Sequence, residues 1–274
     1  MTQSTAREIP AAAAAGTLTI GGDLTVNRLG FGAMRLAGPG VWGAPADRAA
    51  AIRVLRRALE LGVNFIDTAD SYGPGVSEEI IAEALHPYPP ALVIATKGGL
   101  TRSGPGEWGR DAHPAQLRAA CEGSLRRLRL ERIDLYQLHA VDPRVKLEDS
   151  LGELMRLRAA GKIRHIGVSN VSAAELASAR RLVTVVSVQN RYNRADRGSE
   201  GVLRECEAAG IAFIPWFPLG AGRDAANAKS AIAWLLARSP VMLPIPGTAS
   251  VAHLEENVAA AALRLSAQEL KAMG

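Results

Sequence analysis

The 274-residue sequence predicts an α/β protein, a closed (β/α)8 barrel of the TIM type with an N-terminal β-hairpin closing its bottom. The first observation is a regular alternation of short β-prone runs and helical stretches, eight of each, from Leu29 onward. The second is the length, which a single barrel of this kind fills. The third is TLTIGGDLTV at residues 17–26, where two alternating runs flank a Gly-Gly-Asp turn and predict the hairpin.

The strands are predicted where β-branched and aliphatic residues cluster between turn signals. They span residues 29–34, 64–67, 92–96, 133–139, 163–169, 185–189, 212–216 and 241–245. The stretches between them carry apolar residues three to four positions apart, which predicts helices, and the last helix begins near Val251. Helix-end signals support this: Ser172 and Glu175 form a capping box, and glycines at residues 62, 161 and 210 follow helices.

An open doubly wound sheet of the Rossmann type is the alternative fold for alternating β and α elements. The LGFGAM segment offers Gly30 and Gly32, but no third glycine follows at the spacing of a dinucleotide fingerprint, and no helix starts there. The barrel is therefore favoured. Its single domain is predicted to span residues 17–274, because residues 1–16 carry an alanine tract without periodicity and are interpreted as a flexible leader.

The composition limits the classes of partner. With 48% apolar and 22% charged residues the chain can bury a sizeable core, and no apolar run reaches the roughly 18 residues of a membrane span. The net charge of +5 comes from 32 basic and 27 acidic residues scattered along the chain, so neither nucleic acid nor a membrane is an expected partner. Cys121 and Cys206 are isolated in the sequence, so no metal site and no disulfide are expected. We predict a cytoplasmic monomer or weak homo-oligomer.

Four residues that can carry chemistry follow successive predicted strands. Asp67 and Tyr72 come from FIDTADSYG at the end of the second strand, Lys97 from ATKGG after the third, and His139 from YQLHA after the fourth. In a barrel the carboxyl ends of the strands share one rim, where active sites form. Each residue alone also suits a structural role, such as a turn cap or a core histidine, but the four together predict a catalytic site.

The chemistry of these four side chains suits the reduction of a carbonyl group. Such a reduction leaves an alkoxide that needs a proton, and a phenol with a pKa near 10 gives one only if a cation stabilises its anion. Lys97 would supply that cation and Asp67 would keep it charged. His139 would polarise the carbonyl with a ring N–H, and Tyr72 would donate the proton.

The order Asp, Tyr, Lys, His resembles the catalytic tetrad of the aldo-keto reductase superfamily. Further segments are similar to that family, namely GVSN at 167–170, VQNRYN at 188–193, IPWFPLG at 214–220 and IPGTASVAHLEEN at 245–257. The resemblance covers the chain from about Thr17 to the end. It implies an NAD(P)H-dependent oxidoreductase that transfers a hydride to an aldehyde or ketone, with Tyr72 as the general acid.

The resemblance also implies which residues bind the nicotinamide cofactor. Ser169, Asn170 and Gln189 would bind its carboxamide, and Trp216 would stack on its ring, where the family more often has Tyr. The other implied cofactor residues are Met34, Leu219, Gly220, Gly222, Gly247, Thr248, His253, Glu256 and Asn257. NADPH/NADP is expected over NADH, although many family members have Lys and Arg where this chain has Gly247 and His253.

Three aromatic residues, Trp42, Trp108 and Tyr192, are the predicted walls of the substrate pocket. Residues 38–48 and 71–81 resemble a bacterial branch of the family similar to pyridoxal reductases, so pyridoxal is the first specific substrate hypothesis. A small aldehyde or a quinone-like carbonyl is the alternative substrate. Two other functions stay open, a nicotinamide-binding redox-sensing regulatory subunit and an unrelated barrel enzyme.

Overall fold

The computed structural model describes residues 11–220 and 227–273. Within these ranges the strands are β1 (Thr17–Ile20), β2 (Leu24–Asn27), β3 (Phe31–Gly32), β4 (Phe65–Asp67), β5 (Val93–Gly98), β6 (Leu100–Gly104), β7 (Glu107–Arg110), β8 (Ile133–Leu138), β9 (Ile163–Ser169), β10 (Val185–Gln189) and β11 (Ala212–Phe213). The helices are α1 (Arg48–Glu60), α2 (Val76–Leu85), α3 (Pro114–Leu128), α4 (Leu147–Ala159), α5 (Ala173–Leu182), α6 (Glu200–Ala209), α7 (Ala228–Arg238), α8 (Val251–Ala259) and α9 (Ala267–Ala272).

Seven of the strands form one parallel sheet, which is the wall of the barrel. Their order is β11-β10-β9-β8-β5-β4-β3, so strands that follow one another along the chain are neighbours in the sheet. Between each pair the chain passes through a helix, because parallel neighbours need a crossover connection. The (β/α)8 barrel predicted from the alternation is confirmed.

Residues 241–245 close the barrel without forming a regular strand. Phe213 donates its N–H to the carbonyl of Val241 at 2.9 Å, and Leu243 donates back to Phe213 at 2.9 Å. On the other side, Gly30 donates to the carbonyl of Pro244 at 2.9 Å. The predicted eighth strand is therefore present as an extended segment. It lacks a full ladder because prolines at 240, 244 and 246 have no N–H to donate.

The helix-end signals of the sequence are found where expected. Ser172 and Glu175 form the capping box of α5, the serine hydroxyl accepting from the Glu175 N–H and the glutamate accepting from the Ser172 N–H. The three glycines at residues 62, 161 and 210 have φ values of 79°, 73° and 65°, a left-handed conformation that favours glycine. These ends fix where each chain segment turns back toward the barrel.

The N-terminal hairpin of β1 and β2 closes the bottom of the barrel, as predicted. Its buried side chains Ile20, Leu24 and Val26 belong to one cluster with barrel residues, including Phe65 and Leu135. At its turn, Asp23 accepts hydrogen bonds from Arg164 and His165, the second and third residues of β9. The hairpin therefore packs on the interior at the amino ends of the strands.

Residues 11–15 differ from the expected flexible leader. They form a short 3-10 helix, and Ala12 is fully buried and donates its N–H to the carbonyl of Leu61 at 3.0 Å. Alanine has a side chain small enough to pack closely against the end of α1, which a periodicity argument does not detect. Residues 1–10 lie outside the described part of the chain.

Two elements were not predicted from the sequence. The strands β6 and β7 form an antiparallel hairpin between β5 and α3, and α9 follows α8 near the chain end. The hairpin strands are mostly exposed or half-buried, so their residues show no strict apolar alternation. The hairpin overhangs the rim at the carboxyl ends of the strands.

The apolar core includes both cysteines. Cys121 and Cys206 are fully buried in the core, where burial raises the pKa of each thiol to about 12. They therefore act as small hydrophobic side chains. Across residues 11–220 and 227–273 no helix is long and apolar enough to cross a bilayer.

Candidate active site

The barrel brings the four predicted catalytic residues together at the carboxyl ends of the strands. Asp67 is the last residue of β4, Lys97 lies in β5 and His139 follows β8 directly, while Tyr72 lies in the loop after β4. All four are buried, with Lys97 fully inaccessible to solvent. The parallel sheet thus brings together residues that are up to 72 positions apart in the sequence.

Lys97 is the centre of the hydrogen-bond network. Its ammonium donates to Asp67 Oδ2 at 2.8 Å and to the carbonyl of Thr68 at 2.7 Å. The ammonium also lies 5.1 Å from the centre of the Tyr72 ring, and each group shifts the pKa of the other. Lys97 is therefore bound to a carboxylate and a carbonyl and lies next to the phenol.

The carboxylate of Asp67 is held on both oxygens. Oδ2 accepts from Lys97, and Oδ1 accepts from Gln189 Nε2 at 2.8 Å and from Gln137 Nε2 at 3.3 Å. A buried charge pair is stable only when its remaining lone pairs are also satisfied, as they are here. Gln189 was predicted to bind cofactor, and its amide N–H groups also orient this carboxylate.

The charges around Lys97 set the protonation of the site. Burial lowers the pKa of Lys97, but Asp67 and Tyr72 outweigh this effect, so the pKa is raised and the ammonium stays charged. Burial raises the pKa of Tyr72 above its ordinary value of 10.0, and the positive charge of Lys97 opposes the rise. The phenol therefore keeps its proton at neutral pH, next to a cation that would stabilise its anion.

His139 faces the same point and is neutral. Burial, together with the positive charge of Lys97, holds the pKa of His139 well below 6.5. Its ring lies edge-on to the Tyr72 ring with centres 5.9 Å apart, and its Nδ1 is 3.4 Å from Ser71 Oγ. When Ser71 donates to Nδ1, the other ring nitrogen carries the proton and can donate it to a substrate oxygen.

A cavity of about 760 Å³ opens at this rim. Asp67, Tyr72 and His139 line one part of it together with Trp108. The indole of Trp108 stands edge-on to the Tyr72 ring, with the centres 6.5 Å apart. The cavity therefore gives an outside molecule access to the phenol and the imidazole, while Lys97 stays behind them.

The residues predicted to bind nicotinamide form a connected group in the cavity wall. Ser169 Oγ donates to the carbonyl of Gln189 at 2.7 Å, and Asn170 Nδ2 donates to Ser169 Oγ at 3.1 Å. Trp216 donates its ring N–H to Asn170 Oδ1 at 3.0 Å. These contacts hold an amide and an indole side by side, on the same wall as the Tyr72 phenol.

The far part of the cavity contains the predicted phosphate and adenine residues. Thr248 precedes α8, whose first turn is capped by Ser250 accepting from the His253 N–H. The other predicted cofactor residues that line the cavity are Met34, Leu219, Gly247, His253, Glu256 and Asn257. The N-terminal N–H groups of a helix favour a phosphate group, so this part of the cavity suits the phosphate end of a dinucleotide.

Other predicted residues lie elsewhere. Tyr192 is fully buried, stacks on Trp234 with ring centres 6.1 Å apart and donates its hydroxyl to Glu200, so its prediction as a pocket wall is wrong. Trp42 is half-buried beside Arg102 and does not belong to the cavity lining. Gly220 is absent from that lining as well, and Gly222 lies outside the described residues.

Sequence reasoning missed several residues of the cavity wall. Arg35 lines it with its side chain near Gly247, and within the described ranges it forms no ion pair. Leu100 lines the part near Trp108, and Phe217 packs edge-on against Trp216 with centres 4.9 Å apart. An arginine three residues after a strand gives no local signal, because its role depends on the distant segment it meets.

Asp70 is a titratable residue close to the site that was also missed. Burial, reinforced by the negative charge of Glu78, raises the pKa of its carboxyl from 3.8 to about 8. Its Oδ1 is buried and meets no hydrogen-bond donor from the described residues. Asp70 therefore carries a proton at neutral pH, and its ionised form is unfavourable in the folded state.

Asp70→Asn is expected to raise the thermal midpoint more at pH 9 than at pH 5. The folded chain keeps the Asp70 proton up to about pH 8, whereas the unfolded chain loses it near 3.8, so this residue lowers wild-type stability as the pH rises between these values. Asparagine has no proton to lose. Calorimetry across this pH range measures the effect, with the exposed Glu131→Gln as control. Equal shifts at pH 5 and pH 9 would contradict the prediction.

Comparison with known proteins gives the class of this barrel and then its family. A pyridoxine 4-dehydrogenase of Escherichia coli is 44% identical over 277 residues, covering 94% of this chain and 96% of that protein. An uncharacterized oxidoreductase of Schizosaccharomyces pombe is 48% identical over 283 residues, covering 98% and 92%. An aldo/keto reductase from Klebsiella pneumoniae, solved in complex with NADP and acetate, has a TM-score of 0.80 at 29% identity, covering 94% and 93% of the two chains.

The barrel and its site are thus those of an oxidoreductase that uses a nicotinamide cofactor. The family model described as aldo/keto reductase matches residues 28–227 and 223–274. This chain belongs to the aldo/keto reductase family. The predicted family, barrel and class of reaction, carbonyl reduction with a nicotinamide cofactor, are confirmed.

Proposed function

We propose that this protein reduces an aldehyde or ketone with NADPH and that Tyr72 is the proton donor. The observation that carries the proposal is the meeting of Asp67, Tyr72, Lys97 and His139 at one wall of a cavity of about 760 Å³. A charged amine behind a protonated phenol, with a neutral imidazole alongside, is an arrangement suited to protonating an alkoxide.

The donors and acceptors of the cavity fit a nicotinamide dinucleotide. Asn170, Ser169 and the free oxygen of the Gln189 amide would bind a carboxamide, and Trp216 offers a flat ring for stacking. At the other end, Thr248 and the first turn of α8 would bind a phosphate. When bound, the nicotinamide supplies the hydride; the protein supplies position and charge.

The protein residues handle the carbonyl oxygen and its proton. His139 donates a hydrogen bond to the oxygen and fixes the orientation of the carbonyl. The Tyr72 hydroxyl donates its proton to the same oxygen as negative charge develops there. Lys97 stabilises the resulting phenolate, and Asp67 keeps Lys97 charged throughout. Solvent then returns a proton to Tyr72 before the next turnover.

Pyridoxal is the first substrate to test. The support is the 44% identity to the E. coli protein named pyridoxine 4-dehydrogenase, across nearly the whole of both chains. The aromatic ring of Trp108 beside Tyr72 is also compatible with a planar pyridine aldehyde.

The experiment follows NADPH absorbance with purified protein and a carbonyl panel that includes pyridoxal, small aldehydes and quinones. We expect substrate-dependent loss of absorbance, with NADPH alone as the blank. Titration of tryptophan fluorescence with NADPH reports cofactor binding separately, because Trp216 lines the cavity. Tight binding without turnover on any carbonyl would contradict the enzyme and favour the redox-sensing alternative. Absence of both would point to an unrelated barrel enzyme.

The expected preference for NADPH rests on Arg35. Arg35 lines the cavity and its Cγ lies near Gly247, so its guanidinium would pair with the 2′-phosphate in place of the Lys and Arg that many family members carry. We expect Arg35→Gln to raise the dissociation constant of NADPH about 3- to 10-fold, a modest effect because Arg35 is exposed, and that of NADH less than about twofold.

Fluorescence titration with both cofactors tests the role of Arg35. The matched control is Arg53→Gln, an exposed arginine on α1 away from the cavity lining, which should change neither constant. Equal weakening of NADPH and NADH by Arg35→Gln would place Arg35 on the shared pyrophosphate and contradict its role in cofactor preference.

A further inference from the structure

Arg102 joins three segments above the catalytic rim. It lies in β6, and its guanidinium donates to the carbonyls of Val41 at 2.7 Å, Gly40 at 2.7 Å and Ser71 at 3.2 Å. Within its own hairpin it donates to the carbonyls of Glu107 at 2.7 Å and Gly104 at 3.2 Å. All five N–H groups of the guanidinium are therefore used on backbone carbonyls.

The same guanidinium lies on the face of Trp108. Its central carbon is 3.8 Å from the centre of the Trp108 ring and 5.9 Å from that of Trp42. Trp108 in turn stands edge-on to the catalytic Tyr72 at 6.5 Å and lines the cavity, although 43% of its surface is exposed. An exposed indole keeps one position only if a neighbour holds it, and Arg102 is that neighbour.

The hairpin that carries both residues is weakly anchored in other ways. Its strands β6 and β7 pair only with each other within the described residues, and most of their side chains are exposed or half-buried. A two-stranded hairpin has little stability alone. The bonds from Arg102 to the 40–41 loop and to Ser71 therefore fix the distance between Trp108 and the residue next to Tyr72.

We propose that Arg102 is a positioning residue that holds Trp108 beside Tyr72 as an aromatic wall, so that planar aromatic carbonyls are preferred substrates. This inference rests on the proposed function. A flat ring gains by stacking on the fixed indole, whereas a two- or three-carbon aldehyde is too small to contact both Trp108 and Tyr72. Arg102 itself does not take part in the proton or hydride step.

The test compares Arg102→Met with wild type on benzaldehyde and on propanal. We expect KM for benzaldehyde to rise about 2- to 12-fold, which is the effect of losing one aromatic contact. We expect kcat for benzaldehyde, KM for propanal and the NADP dissociation constant to stay within about twofold. A merely structural defect would instead lower kcat with both substrates.

Two further variants make the test specific. In Trp108→Ala, the additional change Arg102→Met should have no effect on KM, because Arg102 acts through Trp108. The control is Arg28→Met, since Arg28 also donates to three backbone carbonyls, those of Met242, Leu236 and Ser239, but near the barrel bottom. It should lower the thermal midpoint and leave KM for benzaldehyde unchanged. Arg102→Gln serves if the Met variant does not fold.

The possible failures are distinct. A wild-type protein that reduces no carbonyl of the panel, pyridoxal and both of these aldehydes included, contradicts the proposed function. A wild-type protein that reduces both, with KM for benzaldehyde unchanged in the Arg102 variants, overturns the role of Arg102. Additive effects of Arg102→Met and Trp108→Ala overturn it as well.

Discussion

Tyr72→Phe is expected to lower kcat about 10²- to 10⁴-fold, the range that a general acid contributes, while the protein still binds NADPH. The substitution removes the hydroxyl of Tyr72 and leaves the ring that packs against His139 and Trp108. The carbonyl oxygen then develops negative charge without a proton donor. Single-turnover mixing of enzyme, NADPH and aldehyde measures the chemical step directly.

Fluorescence titration supplies the control for this prediction. The NADPH dissociation constant of Tyr72→Phe should remain within about twofold of the wild-type value, since the ring and its packing are retained. Turnover near the wild-type rate would contradict Tyr72 as the proton donor. A Tyr72→Phe variant that no longer binds NADPH would contradict the expectation that cofactor binding does not need the phenol hydroxyl.

Lys97→Met is expected to destabilise the fold by about 3–5 kcal/mol and to abolish measurable turnover. The ammonium is fully buried and pairs with a carboxylate that is 3% exposed, so its loss leaves Asp67 as an uncompensated buried charge. The Gln189 and Gln137 amides would still donate to Asp67, but neither carries a charge. Urea unfolding followed by circular dichroism measures the change in the free energy of unfolding.

A second variant separates the stability effect from the chemical one. Asp67→Asn combined with Lys97→Met removes both charges and should recover most of the lost stability, but no turnover. The surface pair of Lys162 and Glu122 is the matched comparison, and Lys162→Met should cost less than about 1 kcal/mol. A single variant as stable as wild type, or a double variant less stable than the single one, would contradict the buried pair as described.

The sequence contained enough to predict the barrel and the position of its catalytic group. The spacing of apolar residues and the turn residues are local features that predict where each strand ends. A closed barrel places the carboxyl ends of all its strands on one rim. Lys97 and Asp67 are thus predicted to meet, and the structure places them 2.8 Å apart. The seventh and eighth strands were predicted too long, because Pro215 in the seventh and Pro244 in the eighth have no N–H for the ladder that β-propensity alone suggests.

The errors concern side chains whose environment is set by distant segments. Tyr192 follows a strand and was predicted to face the pocket, but its ring stacks on Trp234, 42 residues away, and this contact decides its orientation. Arg102 could not be assigned from sequence, since Val41 is 61 residues away and offers only a backbone carbonyl. Every residue has a backbone carbonyl, so the sequence does not indicate which one accepts a side-chain hydrogen bond. Such contacts can be assigned only from the structure.

The hairpin of β1 and β2 lies at the end of the barrel opposite Tyr72 and Trp108. None of its buried residues lines the cavity, and neither does Asp23 at its turn. Apolar packing at this end is therefore separate in space from the residues proposed to contact the substrate. A protein engineer can repack the hairpin to raise heat tolerance without changing a residue of the cavity lining.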